Sequence, residues 1–362
     1  MKKILILANH YITIYAFRKE LVEELIKEHE VYIAYPKSGE NDYFEGLGCK
    51  VIDTPLQRRN TNPISDLKLL MQYLKIIKNI RPDKILTYTI KPNIYGGIAS
   101  RLKGINTIHT VTGLGSVYIR DMWQKKFITF MNKLAFKKAE TVFFLNDDNK
   151  EFYKKLGIVN SEQKTIIVPG SGVNLQRFNH KELENNQVVT FTFIARILKD
   201  KGIEEFLSAA KEIKTNYQNT LFRVVGFVDE EKYKTLLHSY EERGIIEYLG
   251  RREDIPEIMG DSDCVVLPSY GEGRGTVLQE AAAIGRPLIT TNTYGCKENV
   301  DDGENGFLCE VQNVNTLISA MEKFLLLSYI DKKSMGNKSR VKAEKEFDRN
   351  IVINYYLSEI KG

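Results

Sequence analysis

The chain has 362 residues, 43% of them apolar and 27% charged, ordinary proportions for a water-soluble globular protein. That length exceeds what one compact core holds, so two domains are expected, and no stretch approaches the ~18 uncharged apolar residues of a spanning helix. The net charge of +5 is uneven: residues 1–170 hold 27 Lys and Arg against 17 Asp and Glu, residues 171–362 hold 25 against 30. A basic half beside an acidic one points to an anionic surface or acceptor for the first half, and no recognisable nucleic-acid module accompanies it.

Met1-Lys-Lys followed by Ile-Leu-Ile-Leu-Ala is too short an apolar run for a signal peptide and ends at His10 without a small-residue cleavage site, so it is read as a first strand. The first half continues with predicted strands at Glu30–Ala34, Lys50–Asp53, Lys84–Thr87, Thr107–Val111 and Thr141–Leu145, with helices such as Ala16–Glu28 and Asp66–Asn79 between them. Val168-Pro-Gly-Ser-Gly-Val-Asn174 is dense in turn residues and reads as the linker. The second half places strands at Val188–Ile194, Leu221–Val225, Ile246–Leu249, Cys264–Leu267 and Pro287–Thr291, alternating with helices near Ile203–Tyr217, Glu230–Glu242 and Ile255–Met259. Such alternation predicts parallel sheets covered by helices on both faces, and two such units make a two-domain, doubly wound α/β protein. Ligands of these sheets bind beyond the carboxyl ends of the strands. The loops there are Asn9–Tyr15, Tyr88–Asn93 and Thr112–Tyr118 in the first half, and Arg196–Lys201, Gly226–Asp229, Gly250–Ile255 and Ser269–Thr276 in the second. Cys49, Cys264, Cys296 and Cys309 have no metal-type spacing, which fits a reduced, cytoplasmic protein.

The segment Leu267-Pro-Ser-Tyr-Gly-Glu-Gly-Arg-Gly-Thr-Val-Leu-Gln-Glu280 carries the most chemistry. It reads as strand, glycine turn and helix, the helix ending at Gly285 with Pro287 beyond. A helix that starts on a glycine turn presents free amides to an anion such as a diphosphate. Glu272 lies in the turn and Glu280 about one turn inside the helix, so the two carboxylates bracket one ligand at separate points. Arg196 and Lys201, in Ile194-Ala-Arg-Ile-Leu-Lys-Asp-Lys-Gly202, are suited to neutralise phosphate oxygens at the same end of the sheet. Trp123, Phe127, Phe130, Met131 and Leu134 share one helical face bordered by Lys125, Lys126, Lys133, Lys137 and Lys138. A basic amphipathic helix of this kind lies in a bilayer interface, and a core-packed helix shows the same stripe, so both readings stand. Asp261-Ser-Asp263 mimics a metal-binding D-x-D but precedes a strand and reads as a helix–strand junction, and no His, Cys or carboxylate set suggests a catalytic metal.

Glu272 and Glu280, with seven residues between them, resemble the E-x7-E motif of retaining GT-B glycosyltransferases of the large family numbered four. The resemblance implies two Rossmann-like domains facing a cleft: residues 1–170, to which a C-terminal helix (347–362) crosses back, and residues 175–346. It places Glu272 beside the donor sugar, Glu280 on the ribose hydroxyls, and Arg196 and Lys201 on the diphosphate, making Glu272, Arg196 and Lys201 the catalytic set. Gly273, Arg274, Gly275 and Thr276 then line the donor, Arg251 marks the loop that receives the base, and Thr112 and Gly113 contact the donor sugar. Many relatives carry a His immediately before that last glycine; here His109 lies three residues earlier and reads as structural. The stretch Asn9–Arg18 replaces a Gly-rich first loop. With Thr87–Asn93, Thr112–Tyr118, Gly172-Val-Asn-Leu and Ile194–Gly202, it resembles hexosaminyltransferases that extend polyprenyl-diphosphate-linked glycans in capsule, O-antigen or N-glycan assembly.

Tyr15 and Arg18 of that stretch are assigned, with Trp123, Phe127, Lys125 and Lys126, to the acceptor and the membrane. The resemblance thus implies transfer of an N-acetylhexosamine or related hexose from a UDP-sugar to a polyprenyl-diphosphate-linked saccharide. The protein would lie peripherally on an anionic membrane, at the inner face of the plasma membrane, with no divalent metal or other cofactor. A UDP-sugar epimerase of the same architecture and an inactive binding subunit of a glycan-assembly complex are the alternatives. The first needs acid–base groups at the sugar and no acceptor surface; the second is disfavoured by Arg196, Lys201, Glu272 and Glu280 occurring together.

Overall fold

The computed structural model describes residues 1–37, 43–54, 63–113 and 122–362, the side chains of Met122 and Trp123 excepted. The chain divides into two compact units, residues 1–171 with 352–362, and residues 172–351. Each is a parallel α/β sheet covered on both faces.

The first unit runs β1 (Lys3–Leu7), α1 (Tyr11–Glu28), β2 (Glu30–Tyr35), α2 (Tyr43–Gly46), β3 (Lys50–Asp53), α3 (Pro63–Ile80), β4 (Lys84–Tyr88), α4 (Gly97–Lys103), β5 (Asn106–Val111), α5 (Met122–Phe136), β6 (Thr141–Phe144), α6 (Asp147–Lys155) and β7 (Lys164–Ile167). Its seven strands lie in the order β3-β2-β1-β4-β5-β6-β7, all pairs parallel. Apolar residues on successive positions of β1 split between the two faces, as the pleat requires. Ile4 and Ile6 join a core with Ile14, Leu21, Leu25 and Phe143, whereas Leu5 and Leu7 join one with Leu69, Tyr73, Ile77 and Ile85.

The second unit runs β8 (Val189–Ile194), α7 (Ile203–Asn216), β9 (Thr220–Val225), α8 (Lys232–Glu242), β10 (Glu247–Gly250), α9 (Ile255–Gly260), β11 (Cys264–Leu267), α10 (Thr276–Ile284), β12 (Leu288–Thr291), β13 (Gly306–Cys309), α11 (Val314–Leu326) and α12 (Tyr329–Lys342). Its six-stranded order is β10-β9-β8-β11-β12-β13. A single apolar core holds it, from Phe191 and Phe193 through Val265, Val266 and Ile289 to Phe324. The last helix, α13 (Arg349–Lys361), begins in the second unit and continues in the first. At its start Val173 N donates to Phe347 O (2.7 Å) and Arg349 N to Val173 O (3.0 Å), while the Arg349 guanidinium donates to Gly172 O (3.2 and 3.3 Å). No helix among the described residues is long and apolar enough to cross a membrane.

The structure departs from the sequence reading at several points. The loop expected at Asn9–Tyr15 is helical from Tyr11: His10 Nδ1 accepts from Ile12 N (3.0 Å) and Asn9 Oδ1 from Thr13 Oγ1 (3.0 Å), a cap that overrides the strand-like Ile-Thr-Ile run. The Tyr88–Asn93 loop is likewise mostly helical, with Pro92 opening a π-helical turn ahead of α4. Strands β7 and β13 were not expected. Both lie at the edges of their sheets.

Candidate active site

In the second unit the loops beyond β8, β9, β11 and β12 interlock through their backbones. The loop after β8 follows the one after β9, with Ile197 N donating to Phe227 O (2.9 Å) and Asp229 N to Ile197 O (3.1 Å), and Gly226 N donates across to Gly250 O (2.8 Å). The loop after β11 is pinned to the one after β8: Tyr270 N and Ser269 Oγ both donate to Asp200 O (2.9 and 3.0 Å). Gly202 closes this junction at φ +75°, where a Cβ would sit 2.1 Å from Pro268 O, so only glycine fits.

This pinning brings two of the expected catalytic residues together. Lys201 Nζ forms an ion pair with Glu272 Oε1, both side chains largely buried. Arg196 is directed elsewhere: its guanidinium pairs with Asp229 (3.2 Å) and stays half exposed. The Glu272 turn is shaped from the loop after β12, where Tyr294 O accepts from Glu272 N (3.1 Å) and the Tyr294 ring packs against Gly271. Buried Asn299 adds a clamp, its Nδ2 donating to Arg274 O (3.2 Å) and Gly295 O (3.0 Å).

Helix α10 then starts at Thr276 on a left-handed Gly275 (φ +55°), with no side-chain cap and no acidic residue in its first turn. Its first amides and the positive end of its dipole are therefore offered to a ligand anion. Glu280 lies one turn further, half-buried; burial pushes its carboxyl up to about 7, opposed by Arg177 and Arg349. Arg251 follows β10 in an exposed position, beside an Arg252–Asp254 pair (2.8 and 2.5 Å).

Thr112 and Gly113 follow β5 in the first unit and end the described stretch; Leu114–Tyr118 of that loop lie outside the described residues. His109, just before them, is fully buried, stacked on Phe136 (4.2 Å) and hydrogen-bonded through Nδ1 to Thr87 Oγ1 (2.7 Å). Burial lowers its pKa to about 3, so it serves the core as a neutral ring. Tyr15 is exposed at the end of an aromatic set with Tyr11 and Tyr43. Arg18, assigned to the acceptor or membrane from the sequence, is turned inward: it is 3% exposed, its guanidinium over the rings of Tyr88 (5.0 Å) and Tyr356 (5.6 Å). Its helical spacing from Ile14, Leu21 and Leu25 puts it on the buried face of α1.

On α5, Phe127 and Phe130 are exposed while Met131 and Leu134 are half-buried, so the stripe is divided between solvent and core; the Trp123 side chain lies outside the described residues. Lys126 is exposed and Lys125 lies over the Phe152 ring (5.8 Å). Asp261 and Asp263 diverge at the opposite end of β11 from the site. Asp261 pairs with Lys181 (2.5 Å) and Asp263 accepts from Thr190 N (2.8 Å).

Five further residues contribute that the sequence did not single out. Asp229 holds Arg196, Arg177 and Arg349 face Glu280, and Tyr294 and Asn299 shape the Glu272 turn. Tyr294-Gly295 after a strand was a readable turn signal. Arg177 and Arg349 lie outside any strand-end loop, and nothing local marks them.

The family described as glycosyl transferases group 1 matches residues 176–342, and that described as glycosyl transferase 4-like matches residues 3–146. A relative from Campylobacter jejuni, an N,N'-diacetylbacillosaminyl-diphospho-undecaprenol alpha-1,3-N-acetylgalactosaminyltransferase, is 30% identical over 95% of this chain and 94% of its own. An Escherichia coli UDP-Gal:alpha-D-GlcNAc-diphosphoundecaprenol alpha-1,3-galactosyltransferase is 30% identical over 77% of this chain and 76% of its own. Among solved structures, HepE from Anabaena in complex with UDP and glucose superposes with a TM-score of 0.79 at 18% identity, covering 99% of both chains. Sucrose-phosphate synthase from Thermosynechococcus elongatus gives 0.81 at 17% identity, covering 100% of this chain and 98% of its own. With a glycine-opened helix, a Lys–Glu pair at its mouth and a second carboxylate one turn in, on a chain alike over nearly its whole length to such an enzyme, this protein belongs to the group 1 glycosyltransferases of GT-B fold.

Proposed function

We propose that the enzyme transfers a sugar, an N-acetylhexosamine or related hexose, from a UDP-sugar to a polyprenyl-diphosphate-linked saccharide, with retention of anomeric configuration. The reaction takes place at the cytoplasmic face of the plasma membrane. The observation that carries this reading is the Lys201–Glu272 pair beside the uncapped start of α10. The names of the Campylobacter and Escherichia relatives support the acceptor class.

In the reaction the bond from the anomeric carbon to the diphosphate breaks and one to the acceptor hydroxyl oxygen forms on the same face. The acceptor proton passes to an oxygen of the leaving diphosphate. Lys201, Arg196 and the amides of the Gly273–Thr276 turn neutralise the charge that gathers on UDP, an electrostatic contribution of the oxyanion-hole kind. Glu272, already oriented by Lys201, lies toward the donor sugar, where positive charge develops. Glu280 accepts hydrogen bonds from the ribose hydroxyls, the base lies along the loop at Arg251, and Thr112 and Gly113 contact the donor sugar. Exposed Tyr15, Phe127 and Lys126, with half-buried Lys125, belong to the acceptor and membrane side, with an anionic bilayer as partner.

The test is incubation with a panel of UDP-sugars and short polyprenyl-diphosphate saccharides, with mass spectrometry of the products. A product one sugar longer is expected; release of UDP with an epimerised sugar and no elongated acceptor would overturn the reading in favour of an epimerase. Because Lys201, Arg196 and the helix start do the work a divalent ion does elsewhere, transfer is expected to survive EDTA. Abolition by EDTA and rescue by Mn²⁺ would assign that work to a metal.

A further inference from the structure

We propose that α3 is a membrane anchor that acts beside α5, so that the first unit rests on an anionic bilayer through two helices. The inference rests on the lipid-linked acceptor proposed above.

Three large apolar side chains stand in water on the first turns of α3: Ile64 (66% exposed), Leu67 (60%) and Met71 (59%). Their i, i+3, i+7 spacing puts them on one face, opposite the face that Leu69, Tyr73, Ile76 and Ile77 bury. Helix α5 repeats the arrangement with Phe127 (53%) and Phe130 (56%). On both helices the exposed apolar residues lie between the N-terminus and the middle, with exposed lysines among and after them: Lys68, Lys75 and Lys78 on α3, Lys126 and Lys133 on α5 and Lys137 just past its end.

Uncompensated acid is absent from both. Helix α5 contains none, and the one acid of α3, Asp66, accepts from Lys91 Nζ (2.8 Å) and Tyr95 OH (2.9 Å). The two helices flank the segment Pro92–Lys103 and pack against it. In a parallel sheet both run opposite to the strands, so their exposed apolar residues lie toward the carboxyl edge. Five large apolar groups exposed toward one edge, accompanied by lysines and free of unpaired acid, match a bilayer: side chains among the acyl boundary, ammonium groups at the headgroup phosphates. A protein partner would satisfy the apolar groups as well, but the one-signed charge beside them favours the lipid surface.

The experiment is flotation of the full chain with phosphatidylcholine vesicles and with phosphatidylcholine–phosphatidylglycerol vesicles at increasing salt. The triple variants I64S/L67S/M71S and K68E/K75E/K78E are compared with the parent. All six positions are exposed, and thermal melting checks that both variants fold; the charge reversal keeps the test open should the apolar variant melt early. The parent is expected to bind the anionic vesicles preferentially, less so as salt rises. Each variant is expected to bind them roughly tenfold more weakly or worse. Turnover on a short-chain diphosphate-sugar acceptor without vesicles should stay at the parent rate. Parent-level vesicle binding in both variants overturns the proposal, as does a parent chain that ignores vesicles and self-associates through α3 in light scattering. Transfer to the short acceptor is scored separately, so failure of the functional reading leaves the vesicle result decisive.

Discussion

Helices α1 and α10 each follow a buried parallel strand and open at the carboxyl edge of their sheet, yet they begin in opposite ways. The start of α1 is closed by its own sequence, with the His10 ring accepting the Ile12 amide. The start of α10 is a left-handed glycine with no side-chain cap. Similar frameworks thus make a closed helix end in one unit and an uncapped one in the other, and the choice lies in one residue before the first turn. A side chain that satisfies a helix start also fills the place a ligand would take.

The sharpest way to test this contrast is at the Lys201–Glu272 pair beside α10. Lys201→Ala and Glu272→Gln are each expected to lower kcat about 10²–10³-fold, and the double variant little further, because each group orients the other. Arg196→Ala should weaken UDP binding and turnover without such coupling to Glu272, since Arg196 pairs with Asp229. Additive losses at Lys201 and Glu272 would show that the pair does not act as a unit.

A smaller effect separates the two helix starts directly. Gly275→Ala forces a side chain into φ +55° with its Cβ 2.9 Å from Gly295 O, so the turn must shift. UDP affinity measured by calorimetry should fall roughly tenfold. His10→Ala should cost only about 0.5–2 kcal/mol in unfolding experiments and leave UDP affinity unchanged. Equal losses of UDP affinity at both sites would remove the distinction.

The smallest effect is one of pH. Glu280 in the folded enzyme titrates near 7, above the ordinary carboxylate range, because burial disfavours its charge. Below the unfolded value both states are protonated and no penalty exists. As pH rises toward 7 the unfolded chain ionises first, so Glu280 draws stability away, and the loss is complete above 7. Glu280→Gln should therefore raise the melting temperature at pH 8 and not at pH 4. Ribose hydroxyls need the ionised form, so UDP affinity of the parent should climb through pH 7, whereas that of Glu280→Gln should stay low and flat. A pH-independent parent affinity would remove Glu280 from the ribose.

The doubly wound architecture was legible because buried parallel strands such as Cys264–Leu267 are continuous apolar runs with helix signals between them. The Glu272–Glu280 spacing was legible because it is local: strand, turn and helix follow one another in the chain. What escaped the sequence was set across the chain. The pairing of Lys201 with Glu272 depends on Tyr270 and Ser269 bonding to Asp200, contacts 69 or 70 residues apart. The inward turn of Arg18 depends on the rings of Tyr88 and Tyr356, far from it in the chain. The apolar face of α3 escaped because periodicity counts apolar residues without saying which of two faces the core takes.

Arg349 both donates to Gly172 O and opposes the raised titration of Glu280 from outside the loops that form the rest of the site. A second half prepared on its own by cutting the chain to residues 175–346 would leave behind this arginine and the Val173–Phe347 bond with it. Such a fragment would keep every motif residue between Arg196 and Glu280 and still meet its ligand with a more proton-prone carboxylate. Dissecting this enzyme into halves therefore requires the second half to extend from Gly172 through Ile351, the limits of its compact unit.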